Sequence, residues 1–171
     1  MMHTTDDPIH LYPNTSIQIV PGDLLYSHKV AYSSFLVGHE AIIGMNYRIY
    51  HVNRWGNIGH SDSMPIYLSR HKPLEKLTIL RFPDADKAKN AAKWAMLHID
   101  RVEKYTFDRD LDSIENNYCS KYIWQAYYFG NNQNFDLYGR DTNPIKRRYV
   151  TPSQLYRKFE VVGSFRNTLY R

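Results

Sequence analysis

The sequence predicts a single α+β domain spanning residues 1–171, with an antiparallel sheet or small barrel packed against helices. Three observations carry this. Short apolar runs separated by turn residues fill the first half of the chain. One strong helical period follows over residues 84–102, and then a second helix and a closing strand, so the order is mostly strands, helix, helix, strand. No repeat or second core interrupts it, and 171 residues are enough to bury one core.

Residues 1–16 read as a loosely held arm. Ile17–Val20 is a short apolar run, Pro21 and Gly22 make a turn, and Leu24, Leu25 and Tyr26 make a strand. A Ser- and Tyr-rich connection leads to Gly38–Val52, which reads as a β-hairpin. Ala41, Ile42 and Ile43 form one arm, Met45–Arg48 turn, and Ile49, Tyr50 and Val52 form the other. His39 opens the first arm and His51 closes the second, so an antiparallel return brings the two side by side.

Asn53–Asp62 reads as a glycine-bearing loop with a solvated His60. Met64–Ser69 and Lys76–Phe82 read as strands. Asp84 is the expected N-cap of the strongest helix, whose apolar face is Ala88, Ala91, Ala92, Ala95, Ile99 and Val102. His98, near its end, reads as structural or exposed. A second helix is expected from a cap at Asn116 or Asn117 to Gly130, with Cys119 in its first turn. A helical turn after Pro152 and a strand around Phe159–Phe165 close the chain.

Composition narrows the chemistry. An apolar fraction of 43% argues against disorder. Cys119 is the only cysteine, which excludes an internal disulfide framework and a Cys-rich zinc site. Two imidazoles and a thiolate could bind zinc, yet no H-E-x-x-H or C-x-x-C pattern supports it, and neither metal nor other cofactor is expected. The formal net charge of +5 and the basic stretch Lys146–Tyr149 read as a solvated face. No nucleic-acid motif is present. No apolar run reaches membrane-spanning length and no signal peptide is visible, so a cytoplasmic location is expected.

A thiol is a good nucleophile only as thiolate, and both a helix N-terminus and a nearby imidazolium favour that form. Cys119 has the first from its position. His39 is the candidate for the second, and His51 for the group that holds the base in orientation. The first-turn N–H groups at Cys119 point where an oxyanion would form.

The segments PGDLLY (21–26), GHEAII (38–43), RIYHV (48–52) and YCSKYIWQAY (118–127) together resemble the NlpC-type papain-like cysteine hydrolases. With the nucleophile motif last, they look like the circularly permuted YiiX-like and YaeF-like branch, similar in topology to lecithin retinol acyltransferase. The closing VTPSQLYRKFEVVGSF agrees, and the resemblance runs from about Ile17 to Phe165. It implies Cys119 as nucleophile, His39 as base and His51 as third residue, with Tyr105 and Tyr118 positioning substrate or oxyanion. Three departures stand out. Lys121 replaces the usual Glu after Cys-Ser, His51 replaces a carboxylate found in several YiiX-like members, and Val37-Gly38 replaces a small residue and Ser.

The implied activity is a peptidase or amidase working through an acyl-enzyme on a peptide, amide or acyl substrate, for instance a cell-wall peptide or a lipid. A lipid-directed acyltransferase or thioesterase is the alternative, with Tyr32, Phe35 and Trp55 suited to an acyl chain. A catalytically silent binding domain is the third.

Overall fold

A computed structural model describes residues 9–28, 38–53, 58–137 and 149–168. In chain order the elements are β1 (Leu24–Ser27), β2 (His39–Ile43), β3 (Ile49–Asn53), β4 (Ile58–Asp62), α1 (Met64–Ser69), β5 (Lys76–Arg81) and α2 (Ala85–His98), which ends in a 3₁₀ turn at Ile99–Arg101. The short pair β6 (Lys104–Tyr105) and β7 (Asn116–Asn117), then α3 (Cys119–Gly130), α4 (Pro152–Tyr156) and β8 (Glu160–Arg166) complete the fold.

Six strands form one antiparallel sheet in the order β4-β3-β2-β1-β5-β8. It stays open, with β4 and β8 as edges, so the barrel alternative is not realised. The hairpin register is Ile42 opposite Tyr50 and Ile43 opposite Ile49, as the apolar pattern required. The central strands are buried on both faces, which is why they read as nearly continuous apolar runs. On one face Leu24, Tyr26, Ile42, Tyr50, Val52 and Leu80 meet α2 and α3. On the other, Leu25, Ala41, Ile43, Ile49, Leu77 and Ile79 meet Tyr12, Tyr67, Leu68 and Phe165.

The predicted α2 face is buried throughout, and Asp84 Oδ1 caps the helix by accepting from the Asp86 and Lys87 N–H groups, each at 3.1 Å. Gly22 makes its packing possible. Its φ is +90° and an added Cβ would lie 2.5 Å from the Ala88 carbonyl oxygen. Gly22→Ala is therefore expected to cost more than about 2 kcal/mol, read as a lowered urea midpoint.

Four local expectations are corrected. Within the supposed loose arm, Tyr12 is buried and donates to Asp23 Oδ2 at 2.8 Å. Ile58–Asp62 is an edge strand rather than loop, so His60 pairs with His51 across the register. Met64–Ser69 is helical: Ser63 is its N-cap and Pro65 sits in its first turn, where a missing N–H costs nothing. The second helix starts at Cys119 with Tyr118 as N-cap, because Asn116 and Asn117 are held in β7 against β6. Tyr32, Phe35 and Trp55 lie outside the described residues, as do Val37 and Lys146–Arg148.

Candidate active site

The head of α3 is fixed by buried amides. Asn117 Oδ1 accepts from the Tyr118 N–H at 3.0 Å, and Asn117 Nδ2 donates to Gln125 Oε1 at 2.7 Å. Gln125 Nε2 donates in turn to the Leu111 and Ser113 carbonyls, each at 2.9 Å. Tyr118 is extended and offers no side-chain cap, so the first-turn N–H groups at Cys119 are not taken by it. Cys119 itself is 3% exposed.

Tyr105, Phe107 and Tyr149 pack against Tyr118 and Cys119. The Tyr118 hydroxyl accepts from the Val150 N–H at 2.9 Å, which ties the chain ahead of α4 to the head of α3. Lys121 is fully buried and its Nζ donates to the Asn116 carbonyl at 2.7 Å. Burial pushes its pKa down to about 8 against the opposing pull of Asp108, Asp110, Asp112 and Glu115. The charge reversal seen in the sequence thus serves the strand that precedes the thiol.

His39 and His51 sit on neighbouring strands. Gly38, at φ +105°, lets the chain enter β2 beneath the Tyr26 hydroxyl, which an added Cβ would approach to 2.9 Å. His39 is 6% exposed, and its ring lies perpendicular to that of His51 with centroids 5.5 Å apart. His51 Nε2 meets Asp62 Oδ2 at 2.6 Å, and Arg70 closes on the same carboxylate with Nε at 2.8 Å and Nη2 at 3.1 Å. Burial opposes ionisation of Asp62, but the hydrogen bonds from His51 and Arg70 outweigh it and hold the carboxyl well below the ordinary carboxylate range. Burial pushes His51 down despite Asp62, which favours a neutral ring donating through Nε2. His60 stacks on His51 at 5.1 Å.

Two buried tyrosines lie beside these groups. The Tyr26 phenol is raised by burial, by Glu40, by Tyr156 and by the charge Cys119 would carry. The Tyr67 phenol is raised first by burial and next by Cys119. Tyr67 in turn lies 4.9 Å from the His51 ring and 6.4 Å from the His39 ring. Beside Tyr26 a shallow groove opens, lined also by His28, Ser153, Tyr156 and Arg157.

Asp62, Arg70 and Tyr67 were not singled out from sequence. The alternation in His60-Ser61-Asp62 was the available signal, hidden by the neighbouring glycines. No group of three or more His, Cys, Asp or Glu side chains among the described residues is arranged to hold a metal ion. No helix among the described residues is long and apolar enough to cross a membrane.

Glu40 follows His39 and faces the opposite side of the strand, across from Tyr26. It is fully buried, and neither carboxyl oxygen has a hydrogen-bond partner among the described residues. Burial raises its pKa well above 4.5. The folded state therefore keeps a proton that the unfolded chain releases. Stability must fall as pH rises above the ordinary carboxyl range, until the folded pKa is reached. Glu40→Gln is expected to remove that slope in urea titrations run across the pH range.

The sequence profile of the family described as "Lipoprotein N-acylation protein LnsA-like" matches residues 4–155. The chain belongs to this LnsA-like family. No curated protein matches it. The LnsA-like chain is also similar to a solved structure, the metalloprotein YiiX from Escherichia coli O157:H7, with a TM-score of 0.55 and 14% identity over 85% of this chain and 97% of that one. The fold is thus YiiX-like, as the motif order implied. The family of this LnsA-like protein is named for acyl transfer, whereas the resemblance of the motifs to cysteine hydrolases implies peptide or amide hydrolysis first.

Proposed function

We propose that this LnsA-like protein is a thiol-dependent acyltransferase in which Cys119 carries the acyl group as a thioester. The observation that carries this reading is the chain of groups behind His39: its ring packs perpendicular to that of His51, which Asp62 and Arg70 anchor, while Cys119 stands at the head of α3.

In the first half-reaction the Cys119 sulfur bonds to the carbonyl carbon of an acyl donor. His39, having taken the thiol proton, returns it to the leaving group as the bond to that group breaks. In the second, an amine attacks the thioester. His39 takes a proton from the attacking nitrogen, and the sulfur leaves as thiolate. An amine acceptor matches the family's description, in which lipoproteins are N-acylated. Backbone N–H groups at the head of α3 stabilise the oxyanion in both halves. The perpendicular packing of the His51 ring keeps His39 in orientation, and Asp62 with Arg70 keeps His51 in one tautomer. The aromatic groove beside Tyr26 suits an acyl chain. No group of three or more His, Cys, Asp or Glu side chains among the described residues is arranged to hold a metal, and no step is routed through one.

The test is to incubate the protein with a long-chain acyl ester and look for a hydroxylamine-sensitive acyl adduct on the Cys119 peptide by mass spectrometry. Addition of an amine-terminated peptide should discharge the adduct to an amide faster than water discharges it to acid. Discharge to acid alone would return the protein to the hydrolase reading.

A further inference from the structure

We propose that the end of the sheet where β5 begins and β8 finishes docks on an anionic lipid bilayer, with Lys76, Arg166 and Arg157 facing the headgroups and Leu74 entering among them. The proposal goes beyond the acyl-transfer reading and does not depend on it.

Strand register brings the cations together. At one end of the β5–β8 pair Arg81 lies opposite Glu160, an opposite-charge match. At the other end Lys76 lies opposite Arg166. Like charges facing each other across neighbouring strands are destabilising. Both residues are exposed, and neither makes an ion pair among the described residues. Stability of the fold therefore does not account for this pair, whereas an anionic surface outside the molecule does.

The same register fixes the face. Leu77 and Phe165, one residue inward, pack in the core on the Tyr67 side of the sheet. Side chains alternate along a strand, so Lys76 and Arg166 point to the other side, that of Tyr26. The shallow groove opens there. His28 at 4.6 Å and Tyr156 at 5.1 Å stand edge-on to Tyr26, and exposed Arg157 lines the groove with them. Ser27 lies opposite Leu77, so His28 leaves β1 where Lys76 begins β5. His39 pairs with Ser27 at this end too, so docking here turns the candidate base toward the bilayer.

An apolar residue completes the surface. Leu74 is 50% exposed and holds a φ of +64°, a backbone region that leucine rarely adopts. Two hydrogen bonds keep it there. Its N–H donates to the Asn167 carbonyl at 2.7 Å, and its carbonyl accepts from Arg166 Nη1 at 3.1 Å. A fixed loop thus presents a leucine to solvent between exposed Lys72 and Lys76. Interfacial binding combines buried apolar area with attraction to anionic lipid. A nucleic acid or other soluble polyanion offers no apolar layer to Leu74, which is why the bilayer is favoured.

The full chain should co-sediment with vesicles of equimolar phosphatidylglycerol and phosphatidylcholine, much less with pure phosphatidylcholine, and should be released by salt. Lys76→Gln leaves the Leu74 hydrogen bonds intact and should weaken retention about fivefold, and Lys76→Gln with Arg166→Gln about 30-fold. Leu74→Ser should weaken it about fivefold. The melting temperature of Lys76→Gln should hold or rise, since a like-charge pair is removed. Lys89→Gln with Lys93→Gln takes the same charge from exposed positions of α2 and should stay within about twofold of wild type. Equal retention on the two vesicle types would overturn the proposal, as would wild-type retention in the Lys76 and Arg166 variants or an equal loss in the α2 control. Binding to heparin that falls with the cations, ignores Leu74→Ser and has no vesicle counterpart would make this a polyanion site, and would overturn it equally.

Discussion

Cys119→Ala is expected to abolish the acyl adduct, and His39→Ala to slow its formation on the order of 10⁴–10⁶-fold. In the proposed mechanism the two residues act as one unit. The thiolate needs an imidazolium to hold it, and the leaving group needs the same imidazolium to protonate it. The double variant should therefore be no slower than Cys119→Ala alone, because nothing is left for the second substitution to remove. Both variants should fold. Cys119 is a small side chain at a helix start, and His39 lies at a strand end where its backbone pairs with Ser27 and that of Glu40 with Tyr26. Single-turnover kinetics with an acyl ester, alongside circular dichroism, would check this. Retained turnover in Cys119→Ala would remove the thiol from the mechanism.

Asp62→Asn is expected to damage both activity and stability. An amide can satisfy His51 Nε2 with its oxygen only by turning its NH₂ toward Arg70, donor against donor. Turned the other way, it forces His51 into the opposite tautomer. Acylation should slow by about 10²-fold, less than for a residue that touches the base directly. Breaking the buried pair should cost about 3 kcal/mol at neutral pH. The pH dependence has a definite sign. Asp62 titrates below its unfolded value of 3.8, so its contribution is present above that pH and lost as pH falls through the folded pKa. The stability gap between wild type and Asp62→Asn should therefore narrow on acidification to about pH 3, in urea titrations followed by circular dichroism. A gap that stays constant would mean that the carboxylate charge is not what His51 and Arg70 recognise.

Much of the scaffold was legible in the chain. The hairpin pairing of β2 with β3 follows from a local alternation around one turn, and it brings His39 and His51 onto neighbouring strands. Asp84 and the alanine face specified α2, and Gly130 marked the end of α3. Other parts were not legible. Six residues are too few for periodicity to separate strand from helix, so α1 was misread although Ser63 and Pro65 carry a helix-start signal. With α1 misread, Tyr67 and Arg70 had no place in the site. The glycines at 56 and 59 made β4 read as loop, which hid Asp62 behind His51.

The sequence by itself determined a mixed α+β fold, a single thiol at a helix start and two histidines on adjacent strands, because each of these depends on residues close in the chain. Only the tertiary structure decided what surrounds them: the Asp62 and Arg70 anchor, the enclosed Tyr67 hydroxyl and the sealed Glu40 carboxyl. Burial and charge pairing are properties of neighbours brought together by packing. Elements that read as ordinary short runs acquire their chemistry only once the sheet has both faces covered.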